Sequence, residues 1–287
     1  MEKGRSAYLA VGGGITVFIL KILAFLLSGS IALLSDALES ITNIIASFIM
    51  LLSVNVSVRP ADTSHKYGHQ KAENISCFVE GALVTVAALA ILWAAIGRLI
   101  TPVELGPLDI ALGVSLLATG INAGLSWKLA KTARETNSLA LEGDSKHLLS
   151  DVLSSFGVIA GLVVAKISGW SILDPALAFV VAGLVLKMGI GLIMKAGGGL
   201  MDQSCPEEEE KIQMVIERHK PQFIDFHELK TRRSGDRIFA ELHLSVDPKI
   251  TVAEAHTLTD HLEDDLKKEL PEVTLVIHIE PPKSRGH

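Results

Sequence analysis

The sequence predicts a polytopic α-helical membrane protein with six transmembrane helices, followed by a small α+β domain at its C-terminal end. Three observations carry this reading. Apolar residues make up 49% of the 287 and charged residues only 20%, a balance that suits a chain crossing a lipid bilayer repeatedly. Six apolar stretches, near 8–28, 32–56, 75–99, 108–130, 140–167 and 173–196, each reach the roughly 20 residues needed to span the hydrocarbon. After Gly197-Gly198-Gly199 the long apolar runs stop and a charged, alternating pattern begins. Residues 1–201 are therefore assigned to a transmembrane domain and 202–287 to a cytoplasmic C-terminal domain.

The first stretch is about as long as a bilayer span and shows no small-residue cleavage site, so it reads as a span and not a cleaved leader. Lys3 and Arg5 precede it, Arg59, Lys66 and Lys71 lie between the second and third stretches, and Lys128, Lys131 and Arg134 lie between the fourth and fifth. The alternate loops carry far fewer basic residues. By the positive-inside rule both termini face the cytoplasm, in a multi-pass protein of the cell inner (plasma) membrane.

In the tail, Pro206 followed by Glu207–Glu210 marks a helix start, with acidic residues where the helix dipole favours them. That helix is expected to reach about His219. A strand follows at Phe223–Arg232, then a turn at Ser234-Gly235-Asp236. Ile238, Ala240, Leu242, Leu244 and Val246 alternate with polar residues, as in a strand with one buried face. Ala255, Leu258, Leu262 and Leu266 give an amphipathic helix over Thr251–Leu270. Val273–Glu280 alternates again. The order helix-strand-strand-helix-strand defines a small α+β domain.

Charge is unevenly placed: residues 202–287 hold 12 Lys/Arg against 19 Asp/Glu, and the preceding part 14 against 13. An acidic tail excludes nucleic acid as the expected partner. The two cysteines, Cys77 and Cys205, show neither paired nor zinc-ligand spacing.

Charged groups inside apolar runs carry the chemistry. Asp36, Glu39 and Asn43 lie in the second stretch, and Asp144, His147 and Asp151 in the fifth. The spacings i, i+3 and i+7 set each trio on one helix face. A charge costs about 2.5–3.5 kcal/mol at mid-membrane on insertion scales, so such groups mark ion or proton paths. If the two helices pack together, Glu39, Asn43, His147 and Asp151 supply three oxygens and one imidazole nitrogen, a set that suits zinc, manganese or ferrous iron. Asp36 and Asp144, a turn earlier, can orient those ligands. His147 must be neutral to ligate, so metal and protons compete, and a site opening alternately to each side would exchange them.

SGSIALLSDALESITN, the loop RPADTSHKYGHQKAEN, and DSKHLLSDVLSS resemble the cation diffusion facilitators, nearest to the bacterial zinc and ferrous-iron efflux branch. The resemblance covers nearly the whole chain. It implies a homodimeric divalent-metal/proton antiporter, not an enzyme, exporting Zn2+, Fe2+ or Mn2+ from the cytoplasm, with a ferredoxin-like, metallochaperone-like cytoplasmic domain. It places the transport site at Glu39, Asn43, His147 and Asp151. The pair in the second stretch departs from the usual pattern, which has Asp or His first and Asp second; Asp36 then becomes a substitute ligand. Asp62, His65 and His69, whose histidines are four apart, correspond to a second cation site in the loop. His227, His243, His278 and Glu280 correspond to a binuclear zinc cluster in the tail, with His256 as a further candidate. Strand alternation alone already puts His243, His278 and Glu280 on outward faces where they can converge.

Two other classes fit the same residue types. A membrane metalloenzyme would show HExxH or several HxxxH motifs within spans, and none occurs. A metal sensor would need an appended effector domain, for which the tail leaves no room.

Overall fold

The computed structural model describes residues 2–28, 31–100, 109–168 and 173–282; within the helices, the side chains of 24, 25, 27, 28, 31–39, 42, 98, 100, 109–112, 114, 115, 158–168 and 173–175 lie outside the description. The chain divides into two compact units, Met1–Gly197 and Gly198–His287.

The first unit is built of α1 (Glu2–Ser28), α2 (Ile31–Ser57), α3 (Ala72–Ile100), α4 (Asp109–Thr136), α5 (Leu139–Ser168) and α6, which begins at Leu173 and ends at Leu200. Each has 27–30 residues, or about 40 Å at 1.5 Å per residue, more than the hydrocarbon thickness. Among the described residues Glu2–Leu23, Ala72–Gly97 and Ala176–Leu200 are both long and apolar enough to cross a membrane. The helices α2 and α5 have the length but carry the charged trios. Large apolar side chains such as Trp93, Phe156 and Met194 stand exposed, which is the pattern of a surface solvated by lipid.

Small residues set how closely the helices pack. A Cβ at Gly143 of α5 would come within 3.1 Å of Glu80 Cβ and Cγ and 3.2 Å of Cys77 Cα, so α3 lies almost against the α5 backbone. Ser126 Oγ donates to the Ser145 carbonyl at 2.8 Å across α4 and α5. Asn137 takes a left-handed φ of 49°, which Asn tolerates at a helix end. The Ser138 amide then bonds the Ala133 carbonyl at 3.0 Å, making a tight α4–α5 connection.

Glu73, in the first turn of α3, ties α1, α2 and α3 to the α4–α5 connection. It is 4% exposed. Its Oε1 accepts from Ser57 Oγ at 2.8 Å and Lys3 Nζ at 3.3 Å, and its Oε2 accepts from Ser138 Oγ at 2.5 Å. Removing one member of a buried charged network leaves its partners unsatisfied, at about 3–5 kcal/mol. Glu73→Ala is therefore expected to lower the thermal unfolding midpoint of the detergent-solubilised protein well below wild type. An unchanged midpoint would show that these bonds do not hold the bundle.

The second unit contains α7 (Pro206–Glu217), a 3-10 turn (Lys220–Gln222), β1 (Asp225–Ser234), β2 (Arg237–Ser245), α8 (Val252–Glu269) and β3 (Val273–Glu280). The sheet order is β1-β2-β3; β1 and β2 pair antiparallel, β2 and β3 parallel through the α8 crossover. Gly235, at φ 63°, makes the hairpin turn. Ile238, Ala240, Leu242 and Leu244 pack with Ile212, Ile216, Leu258, Leu262 and Leu266, so both helices cover one face of the sheet. Thr251 and Glu254 form a reciprocal capping box at the start of α8. The first tail helix stops at Glu217, two residues short of the expected end, because the chain tightens into the 3-10 turn at Lys220-Pro221-Gln222. The first strand begins at Asp225 and not Phe223, whose ring is buried in the core.

Candidate metal centres

Inside the membrane unit, α2 and α5 bring Asn43, His147 and Asp151 into direct contact. Asn43 is 8% exposed and His147 5%. Asn43 Nδ2 donates to Asp151 Oδ2 at 2.5 Å, and Asn43 Oδ1 lies 2.9 Å from His147 Nε2. The neutral amide thus faces a carboxylate with its NH2 and an imidazole with its carbonyl, holding two metal-competent groups either side of itself. His147 and Asp151 sit on successive turns of α5 and reach the same point. Asp144, a turn earlier, is fully buried and accepts from Ser47 Oγ at 2.9 Å. That hydrogen bond comes from Ser47 of α2, one turn beyond Asn43. The side chains of Glu39 and Asp36 lie outside the described residues.

One charged neighbour was not among the sequence-derived candidates. Glu80, on α3, is 0% exposed, and its Oε2 lies 3.7 Å from His147 Nδ1. The signal was present in SCFVEGALVTV, a lone carboxylate in an apolar run, but no His or second carboxylate lies three or four residues from it.

In the loop between α2 and α3, Asp62, His65 and His69 converge, with one ligand atom from each lying within 4.8 Å of the others. Asp62 Oδ1 accepts the backbone N–H groups of His65 at 2.6 Å and Ser64 at 2.8 Å. Asp62 Oδ1 lies 3.2 Å from His65 Nδ1, and Oδ2 lies 3.4 Å from His69 Nε2. The His65 backbone hydrogen bond, more than any other contact, holds the Asp62 carboxyl below its ordinary value of 3.8, so it stays ionised and ready for a cation.

In the tail, His227 pairs with His243 across β1 and β2, and His243 with His278 across β2 and β3. The three imidazoles form a row, with ring centroids 5.4 and 4.7 Å apart. Glu280 closes it: Oε1 lies 3.1 Å from His227 Nε2 and Oε2 lies 3.2 Å from His243 Nδ1. Beyond this approach to each other, the buried His227 Nε2 and Glu280 Oε1 meet no hydrogen-bond partner, and a nitrogen and an oxygen ligand at this spacing suit a divalent metal. Two ligand groups share His243: one with His278 and Glu280, the other with His227 and Glu228.

Glu228 is the second residue that the sequence reading missed. A bulge between His227 and Lys230 breaks the alternation of β1, and Glu228 has a left-handed φ of 53°. An extra residue therefore joins the histidine face, which period-2 counting does not anticipate. His256 stands apart from the row: it projects from α8, which covers the opposite sheet face, and lies 3.6 Å from Asp260.

Long spanning helices with a buried His/carboxylate site, followed by a sheet bearing a histidine cluster, define a membrane protein that handles cations. Residues 7–201 match the cation efflux transmembrane domain and residues 205–282 the cation efflux protein cytoplasmic domain. The chain belongs to the cation efflux, or cation diffusion facilitator, family; it is a membrane transporter and not an enzyme. It is 34% identical to the uncharacterized transporter sll1263 of Synechocystis sp. over 98% of this chain and 92% of that protein. It is 29% identical to the cation-efflux pump FieF of Pectobacterium atrosepticum, over 96% and 92%. Among solved structures, the metal-bound C-terminal domain of the CzcD transporter from Thermotoga maritima is 30% identical, covering 28% of this chain and 93% of that one, with a TM-score of 0.26.

Proposed function

We propose that the protein exports a divalent transition metal, Zn2+, Fe2+ or Mn2+, from the cytoplasm in exchange for protons. The observation that carries this is the contact of Asn43 with both His147 and Asp151 within the membrane unit. Glu39 is the fourth member of the set, one turn before Asn43 on α2. Naming of its relatives as cation-efflux pumps supports the direction.

Ligation requires the His147 Nε2 lone pair and an ionised Asp151. The contacts to Asn43 occupy both ligand atoms, and an arriving ion must take their place. Protons arriving from the far side restore the N–H and, in time, the contacts. The exchange runs outward for metal wherever proton entry is downhill.

The protein acts as a homodimer in the inner membrane, with both termini in the cytoplasm. The match of the tail to a family domain described by its dimer supports this. His227, His243, His278 and Glu280, with Glu228, hold zinc in the tail, where bound metal offsets the repulsion of two acidic domains. Asp62, His65 and His69 form a loop site that samples cytoplasmic metal.

The test is uptake of zinc, manganese, ferrous iron, cobalt and cadmium into proteoliposomes with an acidic lumen. Uptake by outward-facing cytoplasmic sides should exceed that of empty vesicles and collapse when an ionophore removes the pH gradient. Uptake of no metal, or uptake insensitive to the gradient, would contradict the proposal.

A further inference from the structure

We propose that Glu80 is a positioning residue for the transported ion, acting through His147. This rests on the reading that Asn43, His147 and Asp151 receive the metal. Glu80 lies in the third spanning helix, fully buried, with neither carboxylate oxygen hydrogen-bonded. An ionisable group so placed is costly in a membrane protein and is retained where it serves the ion path.

The packing around it is built for this approach. Gly143, one turn before His147 on α5, leaves the space that the Glu80 Cβ and Cγ occupy; any side chain there would start 3.1 Å from both. Gly81, the next residue, lets α6 close in from the other side, since a Cβ would meet Ile193 and Leu192 at 2.9 Å. Two glycines therefore let α5 and α6 close on α3 around Glu80, whose Oε2 lies 3.7 Å from His147 Nδ1.

The two nitrogens of His147 have separate tasks. Nε2 faces Asn43, and through it Asp151. In the structure Nε2 needs a hydrogen to meet the Asn43 carbonyl oxygen; to give its lone pair to a metal it must lose that hydrogen, and the ring proton then sits on Nδ1. Nδ1 is the nitrogen 3.7 Å from Glu80 Oε2. Asp144 and Asp151 are the charged neighbours of Glu80; once a divalent cation offsets them, an ionised Glu80 stabilises that tautomer, holds the ring plane and raises the basicity of Nε2. Closing the gap to a hydrogen bond requires a ring displacement of about 1 Å.

The experiment compares Glu80→Gln, which keeps the shape without the charge, with Glu80→Asp, which keeps the charge on a shorter arm. In proteoliposomes carrying zinc, Glu80→Gln should raise KM about 10- to 100-fold, with kcat within about twofold of wild type; Glu80→Asp should fall between. A second readout needs no flux. In zinc-loaded, full-length protein labelled with 15N-histidine, the Nδ1 proton of His147, assigned by its loss in His147→Gln, should lie downfield and move upfield in Glu80→Gln. An unchanged KM, or a raised KM with that proton unmoved, would overturn the proposal. If Glu80→Gln fails to insert, Glu80→Asp carries both readouts. Asp151→Ala run in parallel separates the failures. Persisting flux in that variant sinks the site assignment itself, whereas its loss beside a wild-type-like Glu80→Gln sinks only the role of Glu80.

Discussion

Asp151→Ala is expected to reduce uptake of every divalent metal that the wild-type protein carries to the level of protein-free vesicles. Asp151 places a carboxyl oxygen at the point where α2 meets α5, 2.5 Å from Asn43 Nδ2. Without it, the site retains the imidazole and a neutral amide, with Glu39 one turn away on α2. A divalent ion leaving water for a low-dielectric interior needs charged ligands to offset its lost hydration. The loss should therefore be common to all metals and not selective. Uptake assayed metal by metal in proteoliposomes checks this, with circular dichroism confirming that the helices persist. A variant that still transported any one metal at the wild-type rate would remove Asp151 from the site.

Asn43→Asp is expected to alter which metal is carried, without abolishing transport. The amide now bridges two groups of different character, donating to Asp151 and facing His147 with its carbonyl. An Asp in its place sets two carboxylates side by side, which repel until a cation or proton lies between them. The added charge strengthens binding of every divalent ion, but unequally, because ligand number and hardness decide metal preference. The ratio of manganese or iron flux to zinc flux should shift by about tenfold, which corresponds to about 1.4 kcal/mol of differential binding. Competition between metals in a single vesicle preparation measures that ratio directly. A ratio equal to wild type would place Asn43 outside the metal's ligands.

Much of this molecule was legible in the order of its residues. The six long helices follow from apolar runs long enough to cross a bilayer, and the tail from period-2 and period-3.6 patterns that the folded sheet and helices reproduce. The i, i+4 spacings offered a meeting of Asn43, His147 and Asp151 only on the condition that the second and fifth stretches pack together, and the contacts across α2 and α5 meet that condition. Glu80 was not legible, since its partner lies 67 residues away on α5 and no local period connects them. Only the packing of α3 on Gly143 shows what it faces. Glu228 escaped for a different reason: consecutive strand residues point to opposite faces unless a bulge intervenes, and a bulge leaves no mark in hydropathy.

The central claim is that metal and protons exchange at the intramembrane site. The most direct measurement is of luminal pH in proteoliposomes with no imposed gradient, while zinc is added to the cytoplasmic side. Wild-type protein should make the lumen more alkaline in step with zinc entry, as protons leave in exchange, and Asp151→Ala should show neither signal. Zinc entry with no change in luminal pH, once counter-ion leaks are clamped, would contradict the account.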